Sequence, residues 1–385
     1  MNSFLIGIII SLLLLVFQAR SNEEQYEIDP NGYIIFCLCM GRFGNQAEHF
    51  LGGLAFSKLI NRTLIVPPWR TYKNVPYSEW FQLESLLSYH RVIDAQDFME
   101  QLAPRMWPQE SRIGFCWLPA DKSKKDCKMK DGNPFESFWN ELHIDFIDTV
   151  AYQLNYDEYS IDQWNRLFPF VRYPVIALKD APASFPMEAR YRSLQKYMTW
   201  SENIINEVQQ HQKNLFNNES YIGMFVIEFI GSLYFIFFYE GIHLRNDLDW
   251  EQACSNVESY ETRSFMASPQ CLDLLSSSHT FVTHKICYPT DEEILRLLKN
   301  VILRTRIRNI YVATDKRSMI KEIEEHLSAQ RVHVKHLDPW LPVIDVAMLA
   351  HADYFIGNCV SSLTSIVKRA RDIKKLPSAF WGFSN

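Results

Sequence analysis

The sequence predicts an α/β protein with two parallel, doubly wound sheets. At 385 residues the chain is too long for one ordinary core, so two domains are expected. A strand–helix–strand pattern near its start and a regular strand–helix alternation near its end each predict a parallel sheet. Ligands of such proteins lie at the carboxyl ends of the strands, so we expect a site between the two domains.

The first strand–helix–strand pattern surrounds a turn suited to anions. The apolar run Tyr33 to Phe36 predicts a strand, apolar spacings of three and four from Ala47 to Leu59 predict a helix, and Thr63 to Val66 predicts the next strand. The turn between them, Cys37 to Gln46, contains two glycines, an arginine and an asparagine. Free N–H groups at a helix start and an arginine attract anions. A turn that only packs tightly is the alternative.

The rest of the chain alternates less evenly. Residues 67–186 are rich in Trp and Pro and show few clear periodicities, which favours long loops and short helices. A helical pattern follows at 193–212, with Ser201 and Glu202 as its start signal. Near the end, strands are predicted at 310–313, 332–337 and 354–356, and helices at 318–328, 343–350 and 362–372.

The net charge restricts the kinds of partner. A value of −6 gives no reason to expect nucleic acid or an anionic membrane. An anionic small ligand would have to be held by local positive groups.

The amino terminus is typical of a secreted protein. Phe4 to Phe17 is an apolar stretch of fourteen residues, which is short for a membrane span, and Ala19-Arg20-Ser21 offers a small-x-small cleavage site. We therefore predict a signal peptide at residues 1–21, with an uncleaved anchor as the alternative. The two domains are then predicted at 22–220 and 242–385.

Eight cysteines fit an oxidising compartment. Their even number suits four disulfides, and buried free thiols are the alternative. Zinc is disfavoured because the sequence has no Cys-x-x-Cys pair and no clustered His and Cys spacing. Asn61 and Asn218 begin sequons and are possible N-glycan acceptors.

An anomalous apolar segment, Met224 to Gly241, separates the predicted domains. Thirteen of its eighteen residues are Met, Phe, Val, Ile, Leu or Tyr. Its removal would join Tyr221-Ile222-Gly223 to Ile242-His243-Leu244-Arg245 as one strand, so our hypothesis is a translated intron. A buried helical insertion and a membrane span are the alternatives, although Glu228 lies inside the segment. Membrane contact is expected only if this segment or the amino terminus anchors the chain.

Several longer motifs occur in an order that matches one known family. They are Cys37 to Gly52, Asn61 to Leu64, Val66 to Trp69, Tyr89 to Ile93, Gly132 to Phe135, Leu194 to Met198, His243 to Arg245, Phe265 to Cys271, Tyr311 to Asp315 and Phe355 to Ser362. The set is broken only by the apolar segment, and it resembles the GDP-fucose protein O-fucosyltransferase 1 family.

This resemblance implies a GT-B glycosyltransferase fold: two Rossmann-like domains with the donor site in the cleft between them. It implies residence in the lumen of the endoplasmic reticulum, GDP-fucose as donor, and no required cofactor or metal. The implied reaction is inverting transfer of fucose to a Ser or Thr hydroxyl of folded EGF-like repeats, as in Notch and its ligands. A monomer is expected, and the last helix is a candidate to pack back on the amino-terminal domain.

The resemblance also assigns individual residues. The implied donor-binding positions are Arg42, Phe43, Gly44, Asn45, His243, Arg245, Asp345, Ser361, Ser362 and Leu363. Leu363 stands where the family has an aromatic residue. The implied disulfides are Cys37–Cys39, Cys116–Cys127, Cys254–Cys287 and Cys271–Cys359.

Arg245 and Asn45 are the predicted catalytic residues. Breaking the bond between fucose C1 and oxygen leaves charge on the β-phosphate of GDP, which an arginine and backbone N–H groups can stabilise. Asn45 would orient the phosphate or the acceptor hydroxyl, and no carboxylate stands out as general base. Structural alternatives stay open: a salt bridge for Arg245, a core histidine for His243, and helix caps for Asp345, Ser361 and Ser362.

Other hypotheses follow from the departures from the family pattern. Because the apolar segment lies directly before His243 and Arg245, the chain could bind EGF-like repeats, or act as a chaperone, without transferring sugar. A transferase that uses another GDP-sugar is a more remote alternative. The sequence ends in Gly382-Phe383-Ser384-Asn385 rather than a KDEL-like signal, so retention is expected to use another mechanism.

Overall fold

The α/β architecture predicted from the sequence is present, with two parallel sheets, each the centre of one lobe. The computed structural model describes residues 27–71, 73–216, 228–229, 232–233, 238–255, 257, 264–272, 281–337 and 341–383. The predicted signal peptide and the sequon at Asn218 lie outside these residues. Asn61 is exposed in a left-handed conformation, with φ of 55°, and its glycosylation stays a prediction.

The first sheet has six parallel strands. Tyr33–Phe36 is central, between Thr63–Val66 and Val175–Leu178, and the bounds of the first two agree with those predicted. The order across the sheet is Val92–Asp94, Thr63–Val66, Tyr33–Phe36, Val175–Leu178, Ile113–Trp117 and Asp148–Tyr152. A separate antiparallel pair joins Trp69–Arg70 to Asn74–Val75.

Four strands of this sheet lie in the region where the sequence predicted long loops and short helices. That prediction was wrong because these strands are only three to five residues long: Val92–Asp94 and Asp148–Tyr152 are sheet edges of mixed exposure, and Val175–Leu178 is buried throughout. A short strand covered on both faces has no alternation of polar and apolar residues to reveal it.

The helices of the first lobe are mostly short. The exceptions are the first helix, Phe43–Leu59, and Glu202–Phe216, which begins where Ser201 accepts a hydrogen bond from the N–H of Ile204. The shorter α-helices are Tyr77–Trp80, Leu83–Leu87, Ala95–Asp97, Ala103–Met106, Phe135–Glu141 and Ile161–Leu167, with a π-helix at Phe98–Leu102 and 3₁₀ turns at Gln109–Ser111, Lys124–Asp126, Glu158–Ser160 and Ala189–Tyr197.

The second sheet has five parallel strands in the order His333–Lys335, Asn309–Thr314, Glu240–Leu244, Tyr354–Gly357 and Ser378–Phe380. The three strands predicted near the carboxyl end are confirmed. The helices of this lobe are Leu248–Cys254, Pro269–Leu272, His284–Cys287, Asp291–Thr305, Ile320–His326, Pro342–His351 and the last helix, Ser362–Ile373, with a 3₁₀ turn at Ser328–Gln330.

The two lobes are joined through the first and last helices. Arg369 of the last helix forms a buried ion pair with Glu48 of the first helix. Glu48 also accepts the N–H of Met187 at 3.0 Å, and Arg369 donates to the side chain of Gln195 at 3.2 Å. These contacts fix the first helix against the last helix. The starts of the same two helices form part of the candidate site.

The apolar segment 224–241 is only partly described. Glu228–Phe229 and Ser232–Leu233 form a two-stranded antiparallel ladder. Its last two residues begin the central strand of the second sheet, so that strand starts at Glu240, two residues before the predicted boundary at 242. No helix in the described part of the chain is long and apolar enough to cross a membrane.

Glu240 is a buried carboxylate in the middle of this sheet. Its side chain is 0% exposed, and one oxygen accepts the hydroxyl of Thr305. Burial raises the pKa of Glu240 to about 7 from the ordinary value of 4.5, and the nearby Asp353 raises it further. Because the folded pKa is the higher one, the contribution of Glu240 to stability is fully present below pH 4.5 and is lost as the pH rises through 7.

We expect Glu240→Gln to remove this loss of stability. The difference between the two forms should grow between pH 5 and pH 8 and approach about 3 kcal/mol, because each pKa unit corresponds to about 1.4 kcal/mol. Urea unfolding at the two pH values measures it. Glu325→Gln, on an exposed residue, is the matched control and should unfold like the parent at both pH values. A difference between parent and variant that stays constant over this range would contradict the prediction.

Candidate functional site

A cleft of about 240 Å³ opens where the carboxyl ends of the two sheets face each other. Three segments form most of its wall: the turn after the first strand, the end of the central strand of the second sheet, and the start of the last helix. Its lining residues are Gly41, Arg42, Phe43, Gly44, Asn45, Phe185, His243, Arg245, Trp250, Met266, Asp315, Pro342, Val360, Ser361, Ser362 and Leu363. Nine of the ten positions assigned by resemblance are therefore brought together.

The first wall is the glycine-containing turn. Gly41 has φ of 72°, and a Cβ there would lie 2.4 Å from Nδ2 of Asn45, so glycine is required for the turn to close. The first helix starts after Arg42, and no side chain caps it. Its first two residues, Phe43 and Gly44, line the cleft, so an anion there would lie at an uncapped helix start. Phe43 turns inward and packs edge-on against Trp69 and Trp80, which anchors the turn.

The second wall carries Arg245, whose side chain is 9% exposed. Asp315 and Asp249 each form an ion pair with its guanidinium, the latter at 2.9 Å. The guanidinium also lies 4.8 Å from the centre of the Trp250 ring. These contacts hold the guanidinium in one orientation, and its five N–H groups leave donors for a ligand. Burial and the nearby Arg42 lower the pKa of Arg245.

Arginines from the two lobes converge on one carboxylate. Nη2 of Arg42 lies 3.4 Å from Oδ2 of Asp249, the same oxygen that Arg245 contacts. Arg42 is 61% exposed and Asp249 is 59% exposed, so this pair can rearrange when a ligand enters. The cleft thus presents two guanidinium groups within reach of one anionic group.

His243 lies beside Arg245 on the same strand and is 3% exposed. Its Nδ1 is 2.7 Å from Oγ1 of Thr364. Burial, and then the charge of Arg245, lowers the pKa of His243 to about 3. The ring is therefore neutral at physiological pH and suits hydrogen bonding to a ligand better than acid–base catalysis.

The third wall is the start of the last helix. Ser361 occupies the capping position without a side-chain cap, so the helix-cap alternative is not what the structure shows for it. Ser362 donates to Oδ1 of Asn45 at 2.6 Å, which joins the two helix starts. A Cβ on Gly44 would lie 2.8 Å from the backbone nitrogen of Leu363, so only glycine lets the two segments approach this closely.

Of the ten donor-binding positions that the family resemblance implies, nine line the cleft among the described residues, and Asp345 does not. It is 1% exposed and accepts a hydrogen bond from the hydroxyl of Tyr311, behind the cleft. It lies within the first turns of helix Pro342–His351 rather than at the capping position. Its contact with a nucleotide stays a prediction.

All four disulfides implied by the resemblance are present. Cys271–Cys359 ties the segment 264–272 to the loop before the last helix, and the side chain of Gln270 donates to the backbone oxygens of Cys359 and Ser361. Cys37–Cys39 lies at the beginning of the glycine-containing turn. Two of the three walls are thus crosslinked by a disulfide.

Sequence reasoning missed the carboxylates that orient the arginines. Asp249 stands four residues after Arg245, the spacing of an ion pair on a helix, and Asp315 ends a predicted strand. With Asp247 they bring carboxylate oxygens within 4.8 Å of one another, a geometry that could hold a metal ion. In this structure the guanidinium groups of Arg42 and Arg245 supply positive charge at that place.

Comparison with known proteins agrees with this geometry. A family model described as GDP-fucose protein O-fucosyltransferase matches residues 33–374. The chain belongs to this family. GDP-fucose protein O-fucosyltransferase 1 of Caenorhabditis elegans is 35% identical over 384 residues, which cover 95% of this chain and 92% of that protein. The chain is therefore a glycosyltransferase of the GDP-fucose-dependent class, as its motifs predicted.

Solved structures of POFUT1 share the whole architecture. The apo form has a TM-score of 0.83 at 34% identity and covers 93% of this chain and 100% of that one. The complex with GDP-fucose has a TM-score of 0.82 at 33% identity and covers 92% and 99%. The predicted GT-B fold is confirmed, and GDP-fucose is the donor that members of the family bind.

Proposed function

We propose that this chain transfers fucose from GDP-fucose, with inversion, to a Ser or Thr hydroxyl of a folded EGF-like repeat. The observation that carries the proposal is the convergence of Arg42 and Arg245, one from each lobe, beside two uncapped helix starts. This arrangement matches a pyrophosphate in charge and in the number of donors it needs.

The geometry supports a single displacement. The acceptor oxygen bonds to C1 of fucose and releases its proton to water, while the C1–O bond breaks and its electron pair stays on the β-phosphate of GDP. Arg245, held by Asp315 and Asp249, is placed to stabilise that charge without moving far. Asn45 then orients the phosphate or the acceptor hydroxyl from the opposite lobe.

The remaining assigned residues hold the donor. The backbone N–H groups of Ser362 and Leu363 at the last helix bind the pyrophosphate, and Gly44 lets the first helix start approach them closely. His243 donates a hydrogen bond to the nucleotide, and Phe43 fixes the turn. The described carboxylates of the cleft wall are paired with arginines, so we assign no general base.

The setting is the secretory pathway. Four disulfides favour an oxidising compartment, in agreement with the lumen of the endoplasmic reticulum. The acceptors are then folded EGF-like repeats of Notch-type receptors and their ligands, and the enzyme acts as a monomer.

A second function is favoured by the apolar segment 224–241. It enters the strand that carries His243 and Arg245, so a chain that retains it could hold EGF-like repeats without transferring sugar. Against this, the described strand Glu240–Leu244 is in register with both of its neighbours and places the two side chains in the cleft.

A transfer assay with GDP-fucose and a folded EGF-like repeat separates the two functions. Removing Met224 to Gly241 brings Tyr221-Ile222-Gly223 to the positions of Tyr239-Glu240-Gly241, which keeps the tyrosine and the glycine and replaces the buried Glu240 with isoleucine. We therefore expect the shortened chain to fold and to transfer fucose at least as fast as the full chain.

Three results of this assay are informative. Transfer by both chains supports the proposed function. Transfer by the shortened chain alone would show that the segment inactivates the full one and would favour the binding function for it. Transfer by neither, with GDP binding intact in both, would contradict the proposed acceptor. GDP-mannose in place of GDP-fucose is the control for donor identity.

A further inference from the structure

The hydroxyl of Thr364 connects the loop after strand Tyr354–Gly357 to the cleft. Oγ1 of Thr364 lies 2.7 Å from Nδ1 of His243 and accepts the backbone N–H of Asn358 at 3.1 Å. Thr364 is 0% exposed and does not line the described cleft wall itself. It therefore acts on a ligand only through the imidazole.

We infer that Thr364 is a positioning residue that keeps His243 in the form with its proton on Nε2, so that the ring presents an N–H donor to the nucleoside diphosphate. The inference rests on the proposed function for the identity of the ligand. The tautomer itself follows from the protein alone.

Counting donors and acceptors decides the tautomer. A hydroxyl has one proton to donate and lone pairs with which to accept. Oγ1 of Thr364 accepts the backbone N–H of Asn358. Among the described residues, the acceptor within hydrogen-bond distance of the threonine hydroxyl is Nδ1 of His243. If Nδ1 carried the proton, the threonine would accept twice and its own proton would be buried without a partner, which costs about 1–3 kcal/mol.

The surroundings prevent the pair from rearranging. A Cβ on Gly357 would lie 2.5 Å from Cγ2 of Thr364, so the threonine is packed directly against the strand end. Nε1 of Trp381 donates to the backbone oxygen of His243 at 2.9 Å and fixes the backbone beneath the ring. Neither His243 nor Thr364 is accessible enough for water to take the place of the other.

The chosen tautomer suits an oxygen-rich ligand. Burial, and then the positive charge of Arg245, disfavours protonation of the ring, which keeps the imidazole neutral. A neutral imidazole can then meet the ligand with either an N–H group or a lone pair. Only the N–H group attracts phosphate, ribose or guanine oxygens. By keeping the proton on Nε2, Thr364 makes the neutral imidazole of His243 a hydrogen-bond donor to the ligand.

The test compares Thr364→Val, which keeps the shape and loses the hydroxyl, with Thr364→Ser, which keeps the hydroxyl. Nitrogen-15 NMR of the histidine rings reads the tautomer without any ligand, and His243→Asn identifies the signal. We expect the Nε2–H form in the parent and in Thr364→Ser, and a mixture in Thr364→Val. Calorimetric titration with GDP should show about a tenfold weaker Kd for Thr364→Val only.

Thr305→Val is the control, because it also removes a hydrogen-bonded threonine hydroxyl, here a partly buried one, but lies outside the cleft. It should leave the tautomer and the Kd for GDP unchanged. An Nδ1–H signal in the parent, or a Thr364→Val protein with the parental tautomer and Kd, would overturn the inference. Should Thr364→Val not fold, the parental spectrum alone decides. A parent with the Nε2–H signal and no affinity for GDP would instead reject the proposed function.

Discussion

Replacing Arg245 with alanine is expected to lower the rate of fucose transfer by about a hundredfold or more. Losing one preorganised donor to a developing oxyanion has effects of this order in other enzymes. Here the donor is held by two carboxylates and an aromatic ring, so it needs no reorganisation when charge develops on GDP. The loss should appear mainly in kcat, because the interaction strengthens as the bond breaks.

Steady-state transfer to a folded EGF-like repeat measures this effect. Arg190→Ala is the matched control, since that arginine also forms ion pairs, with Glu158 and Glu188, but lies on the exposed surface. It should keep the parental kcat. A near-parental kcat for Arg245→Ala would show that the arginine is only a structural salt bridge.

Breaking the buried ion pair between the lobes is expected to destabilise the fold by about 3–5 kcal/mol. Arg369→Met leaves the carboxylate of Glu48 at 1% exposure without its partner, and an uncompensated buried charge has a cost of this size. The same change should weaken donor binding, because Glu48 and Arg369 lie on the two helices whose starts form the cleft.

Urea unfolding of the parent and of the variant gives the difference in free energy. The double variant Glu48→Leu, Arg369→Met should recover much of the loss, since apolar residues can replace a buried pair. Lys124→Met, which breaks an exposed pair with Asp148, is the control and should cost less than about 1 kcal/mol. Equal costs for the buried and the exposed variant would contradict the argument.

The elements with a clear apolar pattern could be predicted from the sequence. Tyr33–Phe36, Thr63–Val66 and the last helix are where periodicity placed them. The strands between residues 92 and 178 could not be found this way, because at three to five residues they are too short to show a clear periodicity. Their pairing depends on neighbours far away in the chain.

The candidate site, too, could be predicted from the sequence only in part. The residue types of the turn with Arg42 and Asn45 predicted a candidate anion site, and the family motifs added His243 and Arg245. Nothing in the sequence showed that Asp249 would face arginines from both lobes, since Arg42 is 207 residues away from it.

The sequence by itself therefore determined the family and the donor class, and it predicted the residue types of the donor-binding groups, because these depend on residue types and on short spacings. Only the tertiary structure decided how those groups act. It placed two guanidinium groups on one carboxylate, joined Ser362 to Asn45, and set the imidazole of His243 against Thr364. Orientation, burial and hydrogen-bond partners arise where distant segments pack together, and no local pattern records them.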